Sequence, residues 1–353
     1  MSTPNGGGAG FDPDGPGRVN GGIFGLPFSV EEADIVIVPV PWEVTVSYRA
    51  GTAQGPATIL AASPQLDLYD EGAGEFWKVG IALAEENPVI QQLNAGFRPW
   101  AVELIHFLEH GGQMAQHPAL AERLAELNAA GATLNGIVQE TVAGWLDRGK
   151  QVILLGGDHS TPLGYLRALA ERHPEFGILQ IDAHLDLREA YGGFTYSHAS
   201  IMHHALGLPQ VTHLVPVGVR DFCRAEADRV RAEGERVRCF TGRELARAAF
   251  SGKTWAGQCV EIIADLPQKV YISFDVDGLA PHLCPHTGTP VPGGLEFEAA
   301  LYLLAAVVNS GREIIGMDLV EVVPGPGGDE WDAIVGARLL YRMAALLAGQ
   351  VRA

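Results

Sequence analysis

Phe176-Gly177-Ile178-Leu179-Gln180-Ile181-Asp182-Ala183-His184-Leu185-Asp186 is the stretch on which the fold turns. Its first half is an apolar run that reads as a buried strand. Polarity then changes abruptly. In an extended chain alternate residues share a face, so Asp182, His184 and Asp186 point to one side where the strand ends. Two carboxylates and an imidazole on one face make half a metal site. Without a counter-ion, such charges at a buried strand end cost several kcal/mol.

Working outward, two further apolar runs end the same way. Gln151-Val152-Ile153-Leu154-Leu155 stops at Gly156-Gly157-Asp158-His159-Ser160, and the run over 269–274 stops at Asp275-Val276-Asp277-Gly278. Additional strands read at 33–41, 79–83, 213–218, 236–240 and 313–319, giving about eight. Helical patterns fall between most of them: from Gly55-Pro56 through Leu60, over 98–148 with breaks near Gly111-Gly112 and His117-Pro118, from Pro162, and over 224–234, 242–250, 255–265, 296–309 and 332–349. This alternation predicts an α/β fold, three layers α/β/α, with a mainly parallel sheet. Spacing alone leaves open sheet and closed barrel undecided. Residues 1–27, rich in Gly, Pro and Asn, read as a flexible arm, and 28–353 as a single catalytic domain without internal repeat.

In a parallel sheet the three clusters open on one edge. Six potential ligands then converge: His159, Asp182, His184, Asp186, Asp275 and Asp277. Clustered carboxylates raise one another's pKa values unless cations neutralise them. Two divalent ions satisfy that demand, and a mixed oxygen and imidazole set suits Mn, Ni, Zn or Co rather than Ca or Mg.

Composition agrees with such a centre and excludes other classes. Of 353 residues, 47% are hydrophobic and 19% charged, so a large core is expected. With 42 acidic against 24 basic residues the net charge is −18. That field repels nucleic acid and anionic membrane and attracts cations. No apolar run approaches the ~20 residues that span a bilayer. Cys223, Cys239, Cys259 and Cys284 show no paired spacing, so free thiols and a cytoplasmic location are expected.

The motifs Gly-Gly-Asp-His-Ser, Asp-Ala-His-x-Asp, Ser-x-Asp-Val-Asp and Asp318-Leu319-Val320-Glu321-Val322, in this order, resemble the ureohydrolase (arginase/agmatinase) family, from about residue 34 to the C-terminal helix. The resemblance implies an open, mainly parallel sheet, trimers or homo- or hetero-hexamers, and a two-metal centre, here Ni or Mn. It assigns His159, Asp182, Asp186 and Asp275 to one metal and Asp182, His184, Asp275 and Asp277 to the other, with Asp182 and Asp275 bridging. It further implies attack of a metal-bridging hydroxide on the guanidinium carbon, with catalytic roles for Asp186, Glu321 and His198. Glu321 would hold the guanidinium edge, and His198, in Tyr196-Ser197-His198-Ala199-Ser200, would shuttle the proton near neutral pH.

Substrate identity is sought in the loops. Leu187-Arg188-Glu189-Ala190-Tyr191-Gly192-Gly193-Phe194 differs in character from the polar run of arginases, which argues against arginine. The loops look more like nickel-dependent guanidine hydrolases. Trp42, Tyr48, Tyr191, Phe194 and Tyr196 are expected to line the pocket and pack on a small cation. The expected substrate is therefore a small cationic guanidino compound: guanidine, an N-alkylguanidine or a biguanide such as metformin. The alternatives are an agmatinase, a guanidinoacid hydrolase, or a partner subunit of a heteromeric ureohydrolase. Ala280-Pro281 and Val323-Pro324 depart from the family's usual residues, and His282, His286, His203 and His204 read as solvated loop histidines.

Overall fold

The computed structural model describes residues 11–18 and 21–351. Seven strands form one sheet: β1 (Ile35–Val40), β2 (Ile81–Leu83), β3 (Gln151–Gly156), β4 (Phe176–Ile181), β5 (Val211–Val217), β6 (Lys269–Asp275) and β7 (Glu313–Val320). Among the described residues, ten α-helices connect them: α1 (Gly55–Ala62), α2 (Pro88–Glu109), α3 (Pro118–Asp147), α4 (Leu163–Ala170), α5 (Ile201–Leu206), α6 (Arg224–Glu233), α7 (Gly242–Phe250), α8 (Trp255–Ala264), α9 (Phe297–Asn309) and α10 (Trp331–Val351). All strand pairs are parallel, in the order β2-β1-β3-β7-β6-β4-β5. The sheet is open.

Period-two alternation sorts the strand side chains into two cores. Ile35, Ile37, Ile153 and Leu155 pack with residues of α1, α8, α9 and α10. Val36, Val38, Val40, Val152 and Leu154 pack with residues of α2, α3, α4 and α5. Both sheet faces are thus covered, and the central strands are apolar throughout. α10 is long and apolar enough to cross a membrane by composition, contrary to the sequence expectation, yet 61% of it is buried inside the fold. It packs on α1, α9 and β7 as a core helix.

The expected strand at 236–240 is not a continuous one. Val237 and Phe240 make isolated parallel bridges to Leu214 and Val217 on the outer edge of β5. Pro216 explains the break: its carbonyl accepts from the Phe240 N–H at 2.8 Å, but its own nitrogen has no hydrogen to return to this neighbour. The expected arm over 1–27 is only partly within the described residues, and much of that part is docked. Ile23, Phe24 and Leu26 are buried in the core, Phe24 meets Tyr341 edge-on, and Phe11 meets Trp77. Residues 1–10, 19 and 20 lie outside the described residues.

Chain order and sheet order part company where it matters. β3 and β4 are consecutive in sequence but are separated in the sheet by β7 and β6. The ends of β3, β7, β6 and β4 therefore stand side by side around the crevice where the strand order reverses, the place an open α/β sheet holds its ligand.

Candidate metal centre

After β3 the chain turns sharply, and the turn tolerates no side chain. A Cβ on Gly157 would sit 1.9 Å from the Trp42 carbonyl oxygen. The backbone N–H groups of Gly157 and Asp158 donate to Val40 and Trp42, both at 2.8 Å. This delivers His159 into the crevice, where its Nδ1 lies 3.0 Å from Asp182, 2.9 Å from Asp186 and 3.4 Å from Asp275. None of the three approaches is aligned as a hydrogen bond, so Nδ1 is a buried polar atom without a partner. The opposite nitrogen explains its state. Nε2 lies 2.8 Å from the Ser273 hydroxyl, which donates to Asp318 at 3.1 Å. Ser273 thus accepts the Nε2–H and turns Nδ1 toward the three carboxylates; burial opposes a charge on the ring, but Asp182, Asp186 and Asp275 outweigh it and raise its pKa.

His184 stands on the other side of Asp182, its Nδ1 3.1 Å from Asp277 and 3.5 Å from Asp182. Two ligand sets result, His159/Asp182/Asp186 and Asp182/His184/Asp277, with Asp182 common to both. Asp275 borders the first set. The donor chemistry fits two divalent cations: a buried imidazole nitrogen close to three carboxylates, with an aligned hydrogen bond to none of them, is the donor set of a metal site.

The backbone holds these groups in place. Asp182 accepts from the His184 N–H at 2.6 Å and from Gln180 at 2.8 Å. Asp275 accepts from the Asp277 N–H at 2.8 Å, and Asp277 from the Ala183 N–H at 3.0 Å and from Thr289 at 3.2 Å. Asp186 and Glu321 have positive φ, 53° and 66°, outside the region such residues ordinarily occupy. Glu321 reaches back to accept the His159 N–H at 2.8 Å, while Thr287 donates to its carbonyl at 2.8 Å. Oε2 faces Gly288, where an added Cβ would stand 3.2 Å away.

Electrostatics register the crowding. Burial and the charge of Asp182 push Asp186 up to about 7. Burial, then Asp277 and Asp182, raise Asp275, and burial, then Asp275 and Asp158, raise Glu321. His184 rises to about 12: burial opposes its charge, but Asp277 and Asp182 outweigh burial. A cluster that holds protons so tightly without cations is one that cations discharge.

His198 opens a short 3₁₀ turn capped by Ser197 and lines the cavity in front of the cluster. Its Nδ1 lies 3.5 Å from Thr45 Oγ1 and its Nε2 3.5 Å from Ser47 Oγ. Burial, then the His184 and His159 imidazoles, depress it to about 3. The expectation of a pKa near neutrality for this ring is therefore corrected: it is a neutral acceptor.

Of the aromatics expected to line the pocket, Tyr191 lines the cavity before the cluster, and Tyr191 and Phe194 line a groove beside it. Trp42, 1% exposed, lies in the core beneath the loop. Tyr48, 71% exposed, faces solvent beside Arg49. Phe194 is buried among the α2–α5 core residues, and Tyr196 packs over Gly131 with the Arg167 guanidinium 5.8 Å from its ring. The reason is parity. In Trp42-Glu43-Val44-Thr45-Val46-Ser47 the apolar residues turn into the core, and Thr45 and Ser47 turn to His198. That alternation is visible in the sequence and points to the polar residues. Arg188, Asp221, Phe222 and Glu226 complete the wall. Asp221 follows β5 on the same sheet edge, a signal of the kind that found the other acids. The Arg188–Glu226 approach, 3.7 Å, has no local signal. His286 is no solvated histidine: Asp332 accepts its N–H at 2.9 Å and lies 2.9 Å from its Nδ1. His204 Nε2 holds the Thr195 carbonyl at 2.7 Å.

Known proteins share both sequence and fold. Residues 33–345 match the arginase family. The chain is 32% identical to the N(1)-aminopropylagmatine ureohydrolase of Synechocystis sp., over 85% of this chain and 84% of the relative, and 33% identical to that of Thermus thermophilus, over 90% and 91%. Among solved structures, proclavaminate amidino hydrolase from Streptomyces clavuligerus superposes with a TM-score of 0.72 at 24% identity, covering 95% of this chain and 99% of that one. With the ligand cluster at the ends of β3, β6 and β4 and the family match across nearly the whole length, the chain belongs to the arginase family and is a ureohydrolase, acting on C–N bonds of guanidino compounds.

Proposed function

We propose that the chain hydrolyses an aminoalkyl guanidine of the agmatine type to urea and a diamine. The observation that carries this reading is the cavity before the ligand cluster. It measures about 180 Å³ and reaches past Glu321 and His198 to Arg188, Asp221, Phe222 and Glu226. That is an order of magnitude above the roughly 10–15 Å³ that admits one water. Across Ser47 and Tyr191 it continues into a groove of about 250 Å³, and a bare guanidinium would leave most of this joint space to solvent. The relatives named for aminopropylagmatine and agmatine hydrolysis support the same substrate class. Guanidine, N-alkylguanidines and metformin are less well supported, because Trp42, Tyr48 and Tyr196, three of the five aromatics that favoured them, lie away from the cavity. The complete ligand set speaks for a catalyst over a silent partner subunit.

His159, Asp182, His184, Asp186, Asp275 and Asp277 would hold two divalent cations, which would supply the Lewis acidity that makes a water nucleophilic at neutral pH. The chain's own groups do the rest. Glu321, one oxygen tied to the His159 N–H, turns the other to the guanidinium edge and fixes the plane of attack. His198, neutral and steadied by Thr45 and Ser47, accepts a proton and returns it to the departing amine. One C–O bond forms, one C–N bond breaks, and the amine leaves protonated.

The test is urea release from agmatine, N(1)-aminopropylagmatine, guanidinobutyrate, arginine, guanidine and metformin, with the protein loaded with Mn or with Ni. The highest kcat/KM is expected for agmatine or aminopropylagmatine. A higher value for guanidine or metformin overturns the reading.

A further inference from the structure

A second cavity, a groove of about 250 Å³, lies against the first, and Ser47 and Tyr191 line both. Its walls include Ile105 and Leu108 from the end of α2, and Gly192 and Phe194 from the turn after the β4 motif. These two surfaces meet: a Cβ on Gly192 would stand 3.3 Å from Leu108 Cδ1. The turn is firm. Tyr191 and Phe194 exchange backbone hydrogen bonds of 3.1 and 2.9 Å around Gly192 and Gly193, whose φ values of 59° and 87° a side chain would strain. Glu109, the last residue of α2, is the one charged side chain in the lining, and its carboxylate makes no ion pair among the described residues.

An apolar trough with a single free carboxylate matches one chemistry: a hydrocarbon chain that carries a cation. The last carbonyls of α2 add partial negative charge to the same corner. The trough also adjoins the cavity where the guanidinium is held, across Ser47 and Tyr191. Resting on the aminoalkyl guanidine reading above, we propose that this groove takes the substrate's chain and terminal ammonium, with Tyr191 and Ser47 as the threshold and Glu109 as the partner of the ammonium. The groove is then the specificity determinant of the enzyme, and α2 an element of the substrate site.

The experiment compares agmatine with butylguanidine, which has the same chain without the ammonium, by urea release in the full chain. Glu109 is exposed, so Glu109→Gln and Glu109→Lys leave the core untouched. The agmatine/butylguanidine ratio of kcat/KM is expected to fall about threefold in Glu109→Gln, as for an exposed ion pair. It falls further in Glu109→Lys, where guanidinobutyrate gains on agmatine. Raising the salt concentration should shrink the wild-type preference. If the wild type hydrolyses agmatine and neither variant changes the ratio, the groove is wrong and the function stands. A ratio lowered by Asp221→Asn and not by Glu109→Gln puts the chain in the main cavity and overturns the proposal. Hydrolysis of guanidine with no turnover of agmatine or butylguanidine removes the function reading, and the groove with it.

Discussion

The ligand cluster hangs on the ends of β3, β6 and β4, whereas the wall that faces it comes from loops after β1, β4 and β5. The cluster is buried, hydrogen-bonded to backbone, and tied to the sheet register. The wall is half-exposed and joined by longer contacts, such as those of 3.5 Å from His198 to Thr45 and Ser47 and 3.7 Å between Arg188 and Glu226. Rigid strand ends hold charges that would repel one another elsewhere. Loops, free of that burden, shape the cavity and set which guanidino compound fits.

The comparison breaks most visibly at the shared ligand. Asp182→Ala is expected to remove both metals and reduce turnover to background, checked by metal analysis beside a urea assay. Turnover in a metal-stripped sample would sink the two-metal assignment. His198→Ala, on the wall, should lower kcat roughly 10²–10⁴-fold, the range for a lost acid–base group, with metal content kept. Loss of metal would place His198 in the cluster instead. Behind the cluster, Ser273→Ala frees the His159 tautomer and should weaken metal affinity about 10–100-fold, read by chelator competition.

Stability should separate the two regions by pH. Burial raises Asp158 and Asp318 to about 6 and, with Asp182, Asp186 to about 7. In the metal-stripped protein these acids bind protons that the unfolded chain has released above about 3.9. The stability they contribute is present below that pH and lost as pH rises toward 7. His198, depressed to about 3, works in the opposite sense over 3 to 6.5, as do His173, His203 and His204, which burial lowers, but Asp275, Glu321 and Asp332, raised chiefly by burial, join the first three acids and keep the balance on their side. The Tm of the stripped protein should therefore fall from pH 4 to 7, and reloading with metal should restore it. A flat profile would mean the acids are not crowded as described. The smallest effect is expected at Ser47→Ala, which removes a contact of 3.5 Å: a loss of about threefold or less in kcat.

Much of the cluster was legible in the residues alone. Period-two spacing put Asp182, His184 and Asp186 on one face, and Asp275 and Asp277 on another, because strand geometry is local. The same rule would have selected Thr45 and Ser47 over Trp42, had polarity been followed in place of aromatic character. Tyr48 and Tyr196 show why aromatics mislead: a large apolar ring is buried or propped wherever the nearest cavity allows, and that cavity is set by distant chain. Arg188 and Glu226 meet across a separation that no window of sequence spans.

By itself, then, the sequence determined the parallel α/β class and set six candidate ligands on one sheet edge, consequences of strand periodicity and burial. Only the tertiary structure decided that β7 and β6 stand between β3 and β4, bringing Glu321 between His159 and Asp275. It alone reduced the strand at 236–240 to two bridges, brought the end of α2 against the Gly192-Gly193 turn, and left Glu109 free beside the site. The physical reason is common to all of these. Strand order, loop packing and the environment of a charge are set by contacts between segments far apart in the chain, and local periodicity carries no information about which segments will meet.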